Sequence, residues 1–137
     1  WGLPMASVAP DIVMGHRSVA GAALRTFFNI ASAWRLDTEQ AMTLLGVSSR
    51  STYFKWKNNP EGARLSRDTI ERLSYIFGIY KALQTLLPKP ASADTWVHRP
   101  NAAAPFGGKS ALERMLAGQV ADLYVVRQYL DAQRGWS

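Results

Sequence analysis

The 137-residue chain has no cysteine, which removes disulfides, thiolate nucleophiles and sulfur metal ligands from its chemistry. Its two histidines, His16 and His98, lie far apart with no ligand-like spacing around either, so no metal site is expected. No apolar run approaches the roughly 20 residues that span a bilayer. The opening "WGLPMASVAPDIVMGHRS" lacks the basic start and long apolar block of a secretion signal. A cytoplasmic location is therefore expected. Runs of alternating β-branched residues are also missing, and with them any convincing strand. Acid is in short supply: 10 Asp/Glu stand against 16 Lys/Arg, for a net charge of +6. One phosphate-binding motif is present only in part. Gly108-Lys109-Ser110 matches the end of a P-loop, but Ala103 occupies the place of its first glycine and no buried strand precedes it.

What remains is helical. With 47% hydrophobic residues the chain can bury one sizeable core or two small ones. Val19, Ala23, Phe27, Ile30 and Trp34 recur at three- and four-residue steps, one apolar stripe of a helix from Arg17 to Trp34. Asp37 or Thr38 then caps a short helix, "TEQAMTLL", which Gly46 ends. "VSSRSTYFKWK" reads as a third helix, capped by Ser48 or Ser49 and stopped by Asn58-Asn59-Pro60. The fourth and longest runs through "SRDTIERLSYIFGIYKALQTLL", capped by Ser66 or Asp68, with Ile70, Leu73, Ile76, Phe77, Tyr80, Leu83 and Leu87 on its buried face. Pro88 and Pro90 close it, and an irregular segment holding Trp96 and Pro100 follows. Two more helical patterns, "SALERMLAG" and "QVADLYVVRQYLDAQRG", complete an all-α chain. Ser110 with Glu113 three residues on is a capping box, so the glycines before it read as the turn that leads into a helix.

The second and third helices carry a DNA-binding pattern. Leu45, Val47, Tyr53 and Trp56 are placed to lock two short helices together as a helix-turn-helix, leaving the outer face of the second for the major groove. That face holds Ser49, Arg50, Ser51, Phe54 or Thr52, and Lys55, with Lys57 nearby; arginine can take guanine bidentately, while serine, threonine and lysine mostly hold phosphate. Between residues 50 and 67, Arg50, Lys55, Lys57, Arg64 and Arg67 face a single acid, Glu61. Trp56 lies one residue further from Gly46 than in the common form "GVSxRTxYRW".

From Thr38 to Trp136 the sequence resembles the Xre/MbcA/ParS antitoxins. The matching residues are "LLGVSSRSTYFKWK", "LSRDTIERLSYIFGIYKAL", "TWVHRPNAAAPFGGKSALERMLAG" and "VRQYLDAQRG". The third stretch is the most specific, with Trp96, Pro100, Asn101, the Phe106-Gly-Gly turn, Ser110, Leu112 and Gly118 in the family's order; a longer "AAAP" before Phe106 departs from it. The resemblance implies a helix-turn-helix domain followed by a small helical toxin-binding domain. It also implies a RES-domain toxin that consumes NAD or uses it to modify proteins, C-terminal helices that cover the toxin's NAD cleft, and binding of the complex to its own promoter. On this basis residues 1–16 form a flexible segment, residues 17–88 the DNA-binding domain with its linking helix, and residues 89–137 the toxin-binding domain. Trp96, Asn101, Phe106, Lys109, Arg127, Arg134 and Trp136 are the toxin-binding candidates, although core packing competes as a role for Trp96 and Phe106.

No catalytic residue or cofactor is expected. The last 42 residues hold no cysteine and one histidine, and Glu113, Asp122 and Asp131 sit at spacings typical of helix surfaces. An antitoxin that also represses transcription is the leading reading. A stand-alone helix-turn-helix regulator with a dimerising or ligand-sensing C-terminal region is the alternative. Recognition helices that read half-sites about 34 Å apart make a homodimer, within a larger toxin–antitoxin complex, the expected DNA-binding species.

Overall fold

Helix formation begins with the first apolar stripe. The computed structural model describes residues 17–135, and in it α1 spans Arg17–Ala33, turning Ala20, Leu24, Phe27 and Ile30 inward. The fully buried Trp34 follows, and Arg35 takes a left-handed conformation (φ 56°) that redirects the chain. Helix α2, Thr38–Leu45, is capped by Asp37. The Asp37 carboxylate accepts the Gln40 N–H at 2.8 Å and the Gln40 side chain accepts the Asp37 N–H at 2.9 Å, which satisfies two donors that have no partner within the helix. Gly46 (φ 74°) ends α2, and its N–H returns to the carbonyls of Met42 and Thr43.

Helix α3, Arg50–Asn58, starts later than the apolar pattern suggests, because Ser49 is its cap: the Ser49 hydroxyl accepts the Thr52 N–H at 3.2 Å. A 3-10 turn, Pro60–Gly62, leads to α4, Arg67–Leu86, capped by Ser66. Helix α4 is the centre of the molecule, with α1 and α2 packed on it from one half of the chain and α5 and α7 from the other. Coverage from several sides buries Ile79 and Ala82 as well as the expected Leu73, Ile76 and Leu83, whereas Ile70, Phe77, Tyr80 and Leu87 are half-buried.

The segment after Pro88, expected to be irregular, contains a helix, α5, Pro90–Trp96. Proline stops a helix in its interior but suits the first turn, where its missing N–H would have no partner anyway, so Pro90 starts α5. Helices α6, Ala111–Met115, and α7, Val120–Gln133, follow. Among the described residues there is no strand, only an isolated bridge between Pro100 and Ser110. Buried residues from α1 to α7 form one continuous hydrophobic core. The expected flexible segment 1–16 lies outside the described residues.

Candidate nucleic-acid and partner-binding surfaces

The helix-turn-helix is held as its apolar residues require. Leu44, Leu45, Tyr53 and Trp56 are buried and Val47 packs against them, which fixes α3 against α2 and the core. Arg50, Ser51, Phe54, Lys55, Lys57 and Asn58 are left exposed on α3, and Arg64 and Arg67 lie exposed just beyond it. Ser49 uses its hydroxyl for the cap and stands 3.2 Å from the Ser51 hydroxyl; Thr52 is half-buried. Arg50 forms an ion pair with Glu39 of α2 and places its guanidinium carbon 5.7 Å from the centre of the Phe54 ring. The Lys57 ammonium lies 6.0 Å from the rings of Phe28 and Tyr53. Burial pushes the Tyr53 phenol above its ordinary value, so it is neutral beside these cations. Cations set over ring faces are held electrostatically while remaining available to phosphate.

The C-terminal half is organised by its loop. Asn101 accepts the Ala103 N–H at 2.8 Å through its side chain, accepts the Gly108 N–H at 2.8 Å through its carbonyl, and donates its own N–H to the Lys109 carbonyl at 3.0 Å. Gly107 and Gly108 have φ of 56° and 91°, a double left-handed turn that side chains resist. The chain then enters the Ser110–Glu113 capping box, with both hydrogen bonds present at 3.0 and 3.1 Å. Phe106 is 4% exposed and stacks edge-on to Tyr129 and Trp96, with centroids 5.1 and 6.0 Å apart. Lys109 is exposed on the turn. Arg127 lies across α4, donating to the Ser74 carbonyl at 3.3 Å; a Cβ on Gly78 would come 2.4 Å from its guanidinium, so the glycine makes room for this approach. Arg134 caps α7 and is half-buried, and Trp136 lies outside the described residues. Of the six described candidates, Trp96 and Phe106 pack with Tyr129, Asn101 shapes the loop, Lys109 is exposed, and Arg127, 3.5 Å from Asp131, and Arg134 are half-buried. Tyr129 and the Arg114–Asp122 pair (2.9 Å), which braces α6 on α7, escaped the sequence reading. Tyr129 sits three residues after the buried Val126, a spacing that was legible.

Residues 15–78 match the family model of the antitoxin Xre-like helix-turn-helix domain, and residues 82–135 match that of the antitoxin Xre/MbcA/ParS C-terminal toxin-binding domain. The chain belongs to the Xre/MbcA/ParS antitoxin family. A Sinorhizobium fredii protein described as uncharacterized protein y4oB is 53% identical over 114 residues, which cover 83% of this chain and 85% of that one. No solved structure matches.

The two domains of the antitoxin meet at a side chain that sequence reading missed. Arg72, 8% exposed, donates to Asp68 on its own helix at 2.9 Å, to the Thr43 carbonyl of α2 at 3.2 Å and to the Gly118 carbonyl between α6 and α7 at 2.9 Å. One guanidinium thus satisfies carbonyls from both domains, a use that its planar fork of donors permits and an ammonium does not. The signal was its place in the stripe Thr69, Arg72, Leu73, Ile76. Beside it, the Thr69 hydroxyl donates to the Leu45 carbonyl at 3.0 Å and closes the end of α2. Among the described residues no cluster of His, Asp or Glu can hold a metal ion, and no helix is long and apolar enough to cross a membrane.

Proposed function

We propose that this antitoxin neutralises a RES-domain toxin, one that consumes NAD or transfers part of it to protein, by covering the toxin's NAD cleft with its C-terminal helices, and that it represses its own operon by binding promoter DNA as a dimer. The observation that carries this reading is an exposed cationic α3, held by α1 and the 3-10 turn, in a chain whose core helix α4 also packs against the toxin-binding domain. The RES class rests on the resemblance of "TWVHRPNAAAPFGGKS" to the antitoxins that meet such toxins. Lys109, Arg127, Arg134 and Trp136 are the proposed contacts, with Arg134 set where an NAD phosphate would lie. Trp96, Asn101 and Phe106 complete the proposed set, and they also hold the loop and ring cluster next to Lys109. Co-expression with the neighbouring reading frame tests the proposal: co-purification of the two chains and restored cellular NAD are expected. Promoter binding with no toxin partner would instead leave a stand-alone regulator.

Two results are expected at the proposed surfaces. Replacing Arg50 and Lys55 with alanine should weaken promoter binding without unfolding the chain, and the salt slope should fall by about one unit for each side chain that held a phosphate. A gel shift unchanged in affinity would remove α3 from the interface. Deleting residues 135–137, and with them Trp136, should weaken the toxin complex by about 2 kcal/mol or more, because tryptophan is among the residues most enriched in interface hot spots. The same deletion should leave the melting temperature of the free antitoxin and its DNA binding nearly unchanged. Full neutralisation by the shortened chain would move the inhibitory surface to the loop around Lys109.

A further inference from the structure

Two large hydrophobic side chains are exposed among the described residues, Phe54 at 38% and Tyr124 at 46%. Tyr124 rests edge-on against Tyr75, with ring centres 5.7 Å apart, and keeps a hydroxyl for water. Phe54 has no polar end. Its ring touches Tyr53 edge-on at 5.1 Å and lies under the Arg50 guanidinium, while the rest faces solvent from the cationic side of α3. Arg50 and Phe54 are four residues apart and so adjacent on one helical face, separated by about 6 Å along the axis, less than two base-pair steps. The Glu39 carboxylate takes one end of the guanidinium and the ring supports its face. With five N–H donors, arginine keeps donors for a base, and its orientation is set before DNA arrives.

Building on the promoter-binding reading, we propose that Phe54 is a specificity-determining residue that reads a C5-methyl group in the major groove beside a guanine taken by Arg50. Guanine offers O6 and N7 to an arginine fork, and the thymine methyl is the main apolar feature of the groove wall. Thymine is the ordinary source of that methyl, and 5-methylcytosine presents the same group. Covering one methyl removes apolar surface worth about four-fold in affinity per half-site, or about fifteen-fold for a dimer on two half-sites.

The test compares gel shifts on one fragment spanning the region upstream of the operon, amplified with dTTP, with dUTP in its place, or with dTTP and 5-methyl-dCTP. Deoxyuridine lacks only the methyl. The wild-type chain should bind the deoxyuridine fragment about four- to fifteen-fold more weakly, and Phe54→Ala, checked for unchanged helix content and melting temperature, should bind the dTTP and dUTP fragments alike. Weakening on deoxyuridine assigns thymine; no weakening there but tightening on 5-methylcytosine, abolished in Phe54→Ala, assigns the second source. Equal wild-type binding to all three fragments would overturn the proposal and leave promoter binding standing. So would a Phe54→Ala variant that keeps the wild-type ratio between fragments. Failure to bind any fragment would overturn the promoter-binding reading and this proposal together.

Discussion

Replacing Arg72 with alanine should lower folding stability by about 2–4 kcal/mol, since the Thr43 and Gly118 carbonyls lose the charged donor of a largely buried guanidinium. The loss should fall toward the lower end, because Asp68, the ion-pair partner, is half exposed and can be rehydrated. Asp68→Asn should accordingly cost less than about 1 kcal/mol. Arg72→Lys should behave more like alanine than like arginine, because an ammonium on a flexible stem does not span carbonyls on two separate elements. The distinguishing measurement is binding: Arg72 borders the turn between α2 and α3 on one side and the Gly118 turn on the other, so its removal should weaken both promoter and toxin binding. A variant with wild-type urea midpoint and wild-type binding to both partners would show that the two domains are held by apolar packing alone.

Replacing Phe106 with alanine should cost about 3–5 kcal/mol, the range for deleting an enclosed aromatic ring. The ring is 4% exposed and its loss leaves Trp96 and Tyr129 around a void that the Asn101–Lys109 hydrogen bonds hold open. Phe106→Leu refills much of that volume and should cost less than about 1.5 kcal/mol. Thermal unfolding of the free antitoxin separates this role from direct contact. A Phe106→Ala chain that melts as the wild type does but no longer neutralises the toxin would make Phe106 a contact residue and not a support for Lys109.

The local features were legible because their physics is local. The bounds of "TEQAMTLL" agree with α2, and the Ser110–Glu113 box is present, since each depends on hydrogen bonds within three or four residues. The choice of Ser49 over Ser48 and of Ser66 over Asp68 was not legible, because neighbouring side chains offer the same chemistry and only backbone direction selects one. Helix α5 was hidden by Pro90, whose ring reads equally as a stop or as a start. Roles that depend on distant partners belonged to the tertiary structure. Arg72 finds its carbonyls 29 and 46 residues away, Arg50 meets Glu39 across the turn, and Phe106 is enclosed by rings from α5 and α7. The sequence by itself determined the all-α class, the helix-turn-helix, the cationic stretch and the family resemblance. Only the tertiary structure decided which of the described aromatic and charged candidates are packed inside and which are left exposed, because periodicity assigns a residue to a face but not the element that covers it.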